Sequence, residues 1–118
     1  MLKKNNRLQS NSSYNATYKN NNVLTSDLIV LYAGKIKENN DYPSKVGFVV
    51  SKKIHKRAVR RNRIKRLIRE NVRLILKDDS NSIINRYQSL IFLPKFDISD
   101  KSFLDVKKSV LTLLNKLS

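Results

Sequence analysis

The sequence predicts an α+β fold, in which helices pack on one sheet, and two observations support this. Several short runs of β-branched and aromatic residues are typical of strands, and two later segments repeat apolar residues at three- and four-residue spacing, as amphipathic helices do. With 118 residues, 40% of them apolar, the chain is the size of one domain with a modest core. We therefore expect residues 1–118 to form a single domain, with residues 1–7 as its candidate disordered segment.

The N-terminal half predicts a short helix followed by strands. Within residues 8–19, Tyr14 and Tyr18 are four residues apart and would share one side of a helix. The asparagines at positions 20–22 then predict a turn, since asparagine tolerates the left-handed backbone. Strands are predicted at residues 23–24, 28–32 and 46–51, with a polar turn at residues 39–43 before the last of them.

The C-terminal half predicts a long helix, a strand and a final helix. Apolar residues recur at helical spacing from about residue 57 to residue 77, and the polar residues 78–81 end that helix. Residues 89–93 are predicted to form a strand that ends at Pro94. Either Ser99 or Asp100 is expected to cap the last helix. Its predicted buried stripe comprises Phe103, Val106, Val110, Leu113 and Leu114.

The charge of the chain predicts a polyanionic partner. Lys and Arg total 25 against 9 Asp and Glu, which gives a formal net charge of +16. Nucleic acid is the natural ligand of such an excess. The chain has no Cys, so a disulfide framework is excluded and a cytoplasmic location is expected. The longest apolar run, residues 28–33, is too short to span a bilayer, and we predict neither a membrane partner nor a secretory signal.

The cations concentrate in residues 51–70. On a helix, Asn62, Arg66, Arg69 and Arg73 are spaced four, three and four apart and form one ridge, with Lys65 beside it. Arginine suits phosphate because its planar guanidinium bonds two oxygens at once. The ridge is thus the predicted nucleic-acid surface.

Other interpretations of this segment are weaker. A solvated helix face usually alternates charge signs, whereas no acid occurs between Lys52 and Arg69. The basic region of a leucine-zipper protein would need sustained heptads, but the apolar pattern stops at residue 78. A nuclear-localisation signal fits any basic cluster and is correspondingly unspecific.

Two motifs carry a resemblance to a known family. Residues 61–70 read Arg-Asn-Arg-Ile-Lys-Arg-Leu-Ile-Arg-Glu, and residues 46–53 read Val-Gly-Phe-Val-Val-Ser-Lys-Lys. Together they resemble the protein component of bacterial ribonuclease P, and the similarity extends over essentially the whole chain. The resemblance implies an α-β-β-β-α-β-α sandwich with a left-handed βαβ crossover, akin to a ribosomal-protein domain.

The same resemblance implies where RNA binds. The basic helix would contact a catalytic RNA subunit. The residues implicated by motif position, ridge or adjacent charge are Arg57, Arg60, Arg61, Asn62, Arg63, Lys65, Arg66, Arg69 and Arg73.

A central cleft would bind the single-stranded 5′ leader of precursor tRNA. By position its aromatic residues are Tyr14, Tyr18 and Tyr32, although Tyr32 is equally well interpreted as a core aromatic with its hydroxyl at the surface. The flanking phosphate contacts would be Lys52, Lys53 and Lys95. The chain departs from the commonest family pattern where tyrosine replaces phenylalanine at positions 14 and 18.

The residues indicate no catalytic role for the protein itself. There is one His and no clustered pair of acids other than Asp78 and Asp79, which follow a helix. The resemblance implies a non-catalytic subunit of an endoribonuclease whose RNA performs the hydrolysis, with Mg²⁺ held mainly by the RNA and the substrate. No obligate protein partner and no protein-bound metal are expected. The alternative is a structural ribosomal or ribosome-assembly protein without a role in cleavage.

Overall fold

A computed structural model describes residues 7–8, 10–38, 43–78 and 83–117. Its elements are α1 (Asn11–Lys19), β1 (Asn22–Thr25), β2 (Ile29–Ala33), β3 (Lys45–Phe48), α2 (Ala58–Asp78), a 3₁₀ turn (Ile83–Arg86), β4 (Ser89–Pro94) and α3 (Phe103–Leu117). The predicted α+β class and the α-β-β-β-α-β-α order are confirmed. Residues 1–6 of the candidate disordered segment lie outside the described residues. So do residues 39–42 of the predicted polar turn and residues 79–81 at the predicted end of the long helix.

The four strands form one mixed sheet in the order β1-β2-β4-β3. β1 and β4 both pair antiparallel with β2, whereas β3 pairs parallel with β4, and the chain crosses between them through α2. The outer edge of β3 is partly covered by the N-terminal segment, because the Leu8 amide donates to the Val46 carbonyl at 2.9 Å. Because β3 and β4 are parallel neighbours, both strands finish at the same end of the sheet.

One face of the sheet carries the hydrophobic core. Leu24, Leu31, Phe92 and Phe48 stand opposite one another on the four strands and belong to or pack against a single cluster. The rings of Phe48 and Phe92 stack with centroids 5.9 Å apart. Because side chains alternate along a strand, the neighbouring row points to the opposite face.

Helices α2 and α3 cover the core face. The predicted stripe of α2 is confirmed at Ile64, Ile68 and Val72, which are fully buried. Asn71 is buried beside them, and its Nδ2 donates to the Leu67 carbonyl at 2.8 Å, so this polar group is satisfied within its own helix.

The predicted start of the last helix is wrong by about three residues. Ser102 caps α3: its Oγ accepts from the Asp105 amide, and the Asp105 carboxylate accepts from the Ser102 amide, both at 3.2 Å. These hydrogen bonds lower the pKa of Asp105. Ser99 instead lies in a preceding turn and donates its amide to Asp97 at 2.9 Å. Phe103 is 37% exposed, so it does not belong to the buried stripe.

Candidate RNA-binding surfaces

Helix α1 lies on the sheet face opposite the core and is attached mainly by polar groups. Ser10 caps it, because its Oγ accepts from the Ser13 amide at 3.2 Å. Thr17, the one buried residue of α1, donates to the Ser13 carbonyl and contacts the Ser89 hydroxyl on β4. At the end of the helix, the side-chain nitrogen Nδ2 of Asn20 donates to the Ala33 carbonyl at 3.1 Å. The helix is thereby fixed across β2 and β4.

The three predicted tyrosines come together between α1 and the sheet. Tyr32 lies in register with Ile91 and Gly47 on the row that faces α1. Tyr18 meets Tyr32 edge to face, with ring centroids 4.8 Å apart, and Tyr14 lies directly over Gly47. Tyr32 is thus on the face opposite the hydrophobic core.

A partly exposed apolar row continues the sheet beyond these rings. Val30 and Leu93 stand opposite each other two residues along from the Tyr32 row, and Val49 follows on the β3 side. All three are half-buried. We call the six side chains the tyrosine face: Tyr14, Tyr18, Tyr32, Val30, Leu93 and Val49.

The phenols of Tyr14 and Tyr18 stay neutral at physiological pH. Burial raises the pKa of Tyr14. It also raises the pKa of Tyr18, with smaller contributions from the neighbouring Tyr32 and Tyr14. Neutral aromatic rings that are half-buried on an open face are suited to stacking on nucleobases, because no negative charge opposes the approach of a phosphate chain.

Gly47 allows the Tyr14 ring to approach the sheet closely. A Cβ at position 47 would be 2.5 Å from the Tyr14 hydroxyl and 2.7 and 2.8 Å from two ring carbons. Sequence reasoning did not select this residue, yet it is one of only two glycines in the chain and lies inside a strand, which is a signal of close approach.

We predict that Gly47→Ala displaces the Tyr14 ring and lowers the free energy of unfolding by about 1–3 kcal/mol, as overpacking does. Urea unfolding measures the change. The double variant Gly47→Ala/Tyr14→Ala, compared with Tyr14→Ala, is the control, because the three atoms nearest to the added methyl all belong to Tyr14. Equal destabilisation in the presence and absence of the Tyr14 ring would contradict the packing argument.

The three predicted lysines lie at one end of the sheet. Lys52 and Lys53 follow β3, Lys95 follows β4, and all are exposed. Because β3 and β4 are parallel neighbours, these lysines emerge from the same end, which is also where the Val30–Leu93 row lies. The lysines therefore lie at the end of the sheet toward which the tyrosine face extends through Val30 and Leu93.

The predicted RNA-binding residues of α2, and Arg57 just before it, differ in exposure. Arg57, Arg60, Asn62, Arg63 and Arg66 are exposed, whereas Arg61, Lys65, Arg69 and Arg73 are half-buried. The predicted ridge is thus open only in its first half.

The second half of the ridge is less open to a ligand. Arg73 Nε contacts Glu70 Oε2 at 3.0 Å, and this hydrogen bond is the main reason that the pKa of Glu70 is lowered. Arg69 Nε is buried without a hydrogen-bond partner in the described part of the chain. Asn62 and Arg66 are therefore the ridge positions most open to a ligand.

Three arginines of the first turns of α2 bind the protein's own loops. Arg61 Nη1 donates to the carbonyls of His55 and Lys56 at 3.0 and 2.6 Å. Arg63 Nε donates to the Ser99 carbonyl at 2.8 Å, and Arg60 Nη1 approaches Asp100 at 3.8 Å. The Arg61 contacts fix the segment that precedes α2, and the Arg63 and Arg60 contacts fix the start of α2 against the loop that follows β4.

Arg61→Ala is predicted to destabilise the free protein by roughly 1.5–3 kcal/mol, since hydrogen bonds from a charged donor contribute about that much. Thermal unfolding without RNA measures it. Arg57→Ala is the matched control, because the Arg57 guanidinium is exposed and makes no hydrogen bond with the described residues. A destabilisation no larger than that of the control would show that Arg61 does not stabilise the loop.

His55 connects the same two regions. Its Nδ1 accepts from the Arg57 amide at 3.0 Å, and its Nε2 lies 3.9 Å from Asp97 Oδ2. Hydrogen bonds from Ser99 are the largest cause of the lowered pKa of Asp97, with a smaller contribution from His55. Both ring nitrogens of His55 thus have structural neighbours at the start of α2.

The rest of the described chain shows neither a metal cluster nor a membrane segment. Across residues 7–8, 10–38, 43–78 and 83–117, no group of three or more His, Cys, Asp or Glu lies close enough to hold a metal ion. In the same ranges no helix combines the length and the apolar character needed to cross a bilayer.

Comparison with known proteins agrees with the motifs and the fold. The Ribonuclease P family model matches residues 2–118. The chain is 36% identical to a ribonuclease P protein component of Clostridium kluyveri, covering 93% of this chain and 92% of that protein, and 35% identical to one of Clostridium novyi, covering 98% and 96%. A ribonuclease P protein of Staphylococcus aureus is 27% identical and superposes with a TM-score of 0.73 over 99% of this chain and 92% of that one. A Thermotoga maritima ribonuclease P protein, 23% identical over 95% of this chain and 97% of that one, shares the fold with a TM-score of 0.73. The chain therefore belongs to the ribonuclease P protein family.

Proposed function

We propose that the protein assists 5′-leader removal by binding a catalytic RNA subunit through α2 and the leader of precursor tRNA through the tyrosine face. One observation carries the proposal: the three lysines and the first turns of α2 lie at the end of the sheet where β3 and β4 finish, and the tyrosine face extends from its rings toward that end through Val30 and Leu93. An RNA docked on α2 would therefore have an unpaired strand within reach of the rings. The proposal assigns affinity and positioning to the protein and hydrolysis to the RNA.

The exposed part of α2 supports the RNA contact. Arg63 and Arg66 are exposed on a helix whose opposite side is fixed in the core, and the exposed Arg57 immediately precedes its first residue, Ala58. A rigid helix holds its guanidinium groups at defined positions, which favours bidentate contacts with phosphate over diffuse attraction. The net charge of +16 reduces the repulsion between two RNA molecules brought together.

The tyrosine face supports the leader contact. Stacking on aromatic rings contributes roughly 1–3 kcal/mol per base and tolerates any sequence, which suits leaders of varied sequence. Lys52, Lys53 and Lys95 would bind leader phosphates, so leader affinity should fall as salt rises.

Mg²⁺ enters the proposal as an ion held by RNA and substrate. It would supply the activated water and charge stabilisation for phosphodiester hydrolysis. The described residues offer no acidic cluster that fits it, so no step of the hydrolysis is assigned to a side chain of this chain. We place the reaction in the cytoplasm, where tRNA precursors are made. A chain without cysteine forms no disulfide and therefore needs no oxidising compartment, which is consistent with this location.

Reconstitution tests the proposal directly. The purified chain is added to ribonuclease P RNA at a Mg²⁺ concentration too low for the RNA to cleave alone. We expect cleavage of precursor tRNA at the 5′ end of the mature sequence. RNA binding without restored cleavage would favour a structural role in ribosome assembly instead. Polylysine, added at the same total positive charge, is the control for simple charge neutralisation.

A further inference from the structure

A groove between α2 and α3 adjoins the exposed arginines of α2 and is separate from the tyrosine face. It has a volume of about 240 Å³ and is lined by Arg63, Arg66, Leu67, Glu70, Leu74 and Phe103. Leu67 and Leu74 lie one heptad apart on the side of α2 that faces the first turn of α3. Phe103 begins α3 and is 37% exposed. The groove therefore combines apolar lining residues with two arginines and one carboxylate.

We propose that this groove binds a single unpaired nucleobase of the RNA that docks on α2. The inference rests on the proposed RNA-binding function and adds a defined base site to it. It differs from the tyrosine face, which lies on the other side of the sheet and would bind the leader.

The size and walls of the groove fit one base. Small-molecule sites generally have volumes of roughly 300–1,000 Å³, so a groove of about 240 Å³ accommodates a group smaller than a typical ligand. Unpaired bases that are turned out of RNA loops and bulges stack on aromatic rings and arginine planes. Phe103 offers such a ring, and Leu67 and Leu74 offer apolar contact to the base.

The two arginines provide the matching charge for the flanking phosphates. Arg63 is held by the hydrogen bond from its Nε to the Ser99 carbonyl, so its terminal nitrogens have a fixed position beside the groove. Arg66 is exposed one turn away. A nucleotide inserted between them would have its phosphates near guanidinium groups on either side.

Glu70 distinguishes a base from a phosphate inside the groove. It is the one acid between Ala58 and Lys77, and the hydrogen bond from Arg73 lowers its pKa, so it is ionised at neutral pH. A carboxylate repels phosphate oxygens, but it has several acceptor positions and accepts hydrogen bonds from the N–H groups of a base edge. A groove lined by one carboxylate and two arginines offers groups of matching charge to both parts of a nucleotide, the base edge and the phosphates.

The test compares Phe103→Ala with Leu104→Ala in the complex with ribonuclease P RNA from the same organism. Both residues are apolar and lie in the first turn of α3, but Leu104 is 64% exposed and does not line the groove. We expect Phe103→Ala to raise the Kd for this RNA roughly 5- to 150-fold, the equivalent of removing one stacked base, and Leu104→Ala to leave it unchanged. The salt dependence of binding should keep its slope in Phe103→Ala, because no phosphate contact is removed.

Base-specific chemical probing of the same complexes locates the nucleotide. One unpaired base should be protected by the wild-type protein and by Leu104→Ala, and become reactive with Phe103→Ala. Leu74→Ala, at another wall of the groove, should expose the same base, which guards against a folding defect peculiar to Phe103→Ala.

Two outcomes would overturn the inference. Equal RNA affinities and equal protection patterns for Phe103→Ala and Leu104→Ala would exclude a base in the groove. A change in the sedimentation of the free protein, seen with Phe103→Ala but not with Leu104→Ala, would identify the groove as a contact between two copies of the chain. Failure of the wild-type protein to bind the RNA would instead refute the proposed function.

Discussion

Tyr18→Ala is expected to raise the Kd of the reconstituted complex for precursor tRNA roughly 5- to 150-fold. The substitution removes one ring from the tyrosine face and also removes the edge-to-face neighbour of Tyr32, whose centroid is 4.8 Å away. A stacked base contributes about 1–3 kcal/mol, which corresponds to that range of affinities. Binding assays with leader-bearing and leaderless tRNA measure the effect.

The controls for Tyr18 separate stacking from stability. Mature tRNA, which lacks the leader, should bind the variant and the wild type equally. Tyr18→Phe keeps the ring and should keep leader affinity, because the proposed interaction uses the face of the ring. If the affinities for mature and precursor tRNA fall to the same degree, the tyrosine face does not bind the leader.

Arg66→Glu is expected to weaken binding of the RNA subunit more than any other single change on α2. Arg66 is the exposed arginine of the ridge, and unlike Arg61, Arg63 and Arg73 it makes no hydrogen bond with the described residues. Reversing its charge removes a phosphate ligand and adds repulsion. The logarithm of the binding constant should also depend less steeply on the logarithm of salt concentration, by about 0.7–0.9 for a single phosphate that is no longer neutralised.

Lys107→Glu supplies the matched control for this charge reversal. Lys107 is exposed on α3, and its substitution changes the net charge by the same amount. A local interaction at Arg66 predicts a much larger fall in RNA affinity for Arg66→Glu than for Lys107→Glu. Similar affinities for the two variants would show that only the total charge of the protein matters.

The element order could be predicted from sequence because local patterns and tertiary packing agree. Ile64, Ile68 and Val72 recur at helical spacing and are fully buried, and the residues of β2 and β4 are those that favour a pleated, buried strand. The cap of α3 was misplaced for a physical reason. Ser99 and Ser102 both precede an apolar pattern, and only the extra turn after β4 determines which hydroxyl reaches the amides of α3.

The functional surfaces were less predictable than the fold. Spacing alone placed Asn62, Arg66, Arg69 and Arg73 on one ridge, but it did not reveal that Arg73 contacts Glu70. Arg61 and Arg63 likewise appear in sequence as phosphate ligands, although their guanidinium groups also bind backbone carbonyls of loops. Such interactions depend on where distant loops lie, and helical periodicity contains no information about that.

The attachment of α1 has a consequence for the order in which parts of the molecule open. Only Thr17 of this helix is buried, so detaching α1 exposes less apolar surface than separating α2 from the sheet, which exposes much of the core. Amide hydrogens of α1 should therefore exchange with solvent through local openings, at rates far above those of α2 and β4. Two of the rings proposed to bind the leader would then leave and rejoin the sheet while the scaffold beneath stays folded.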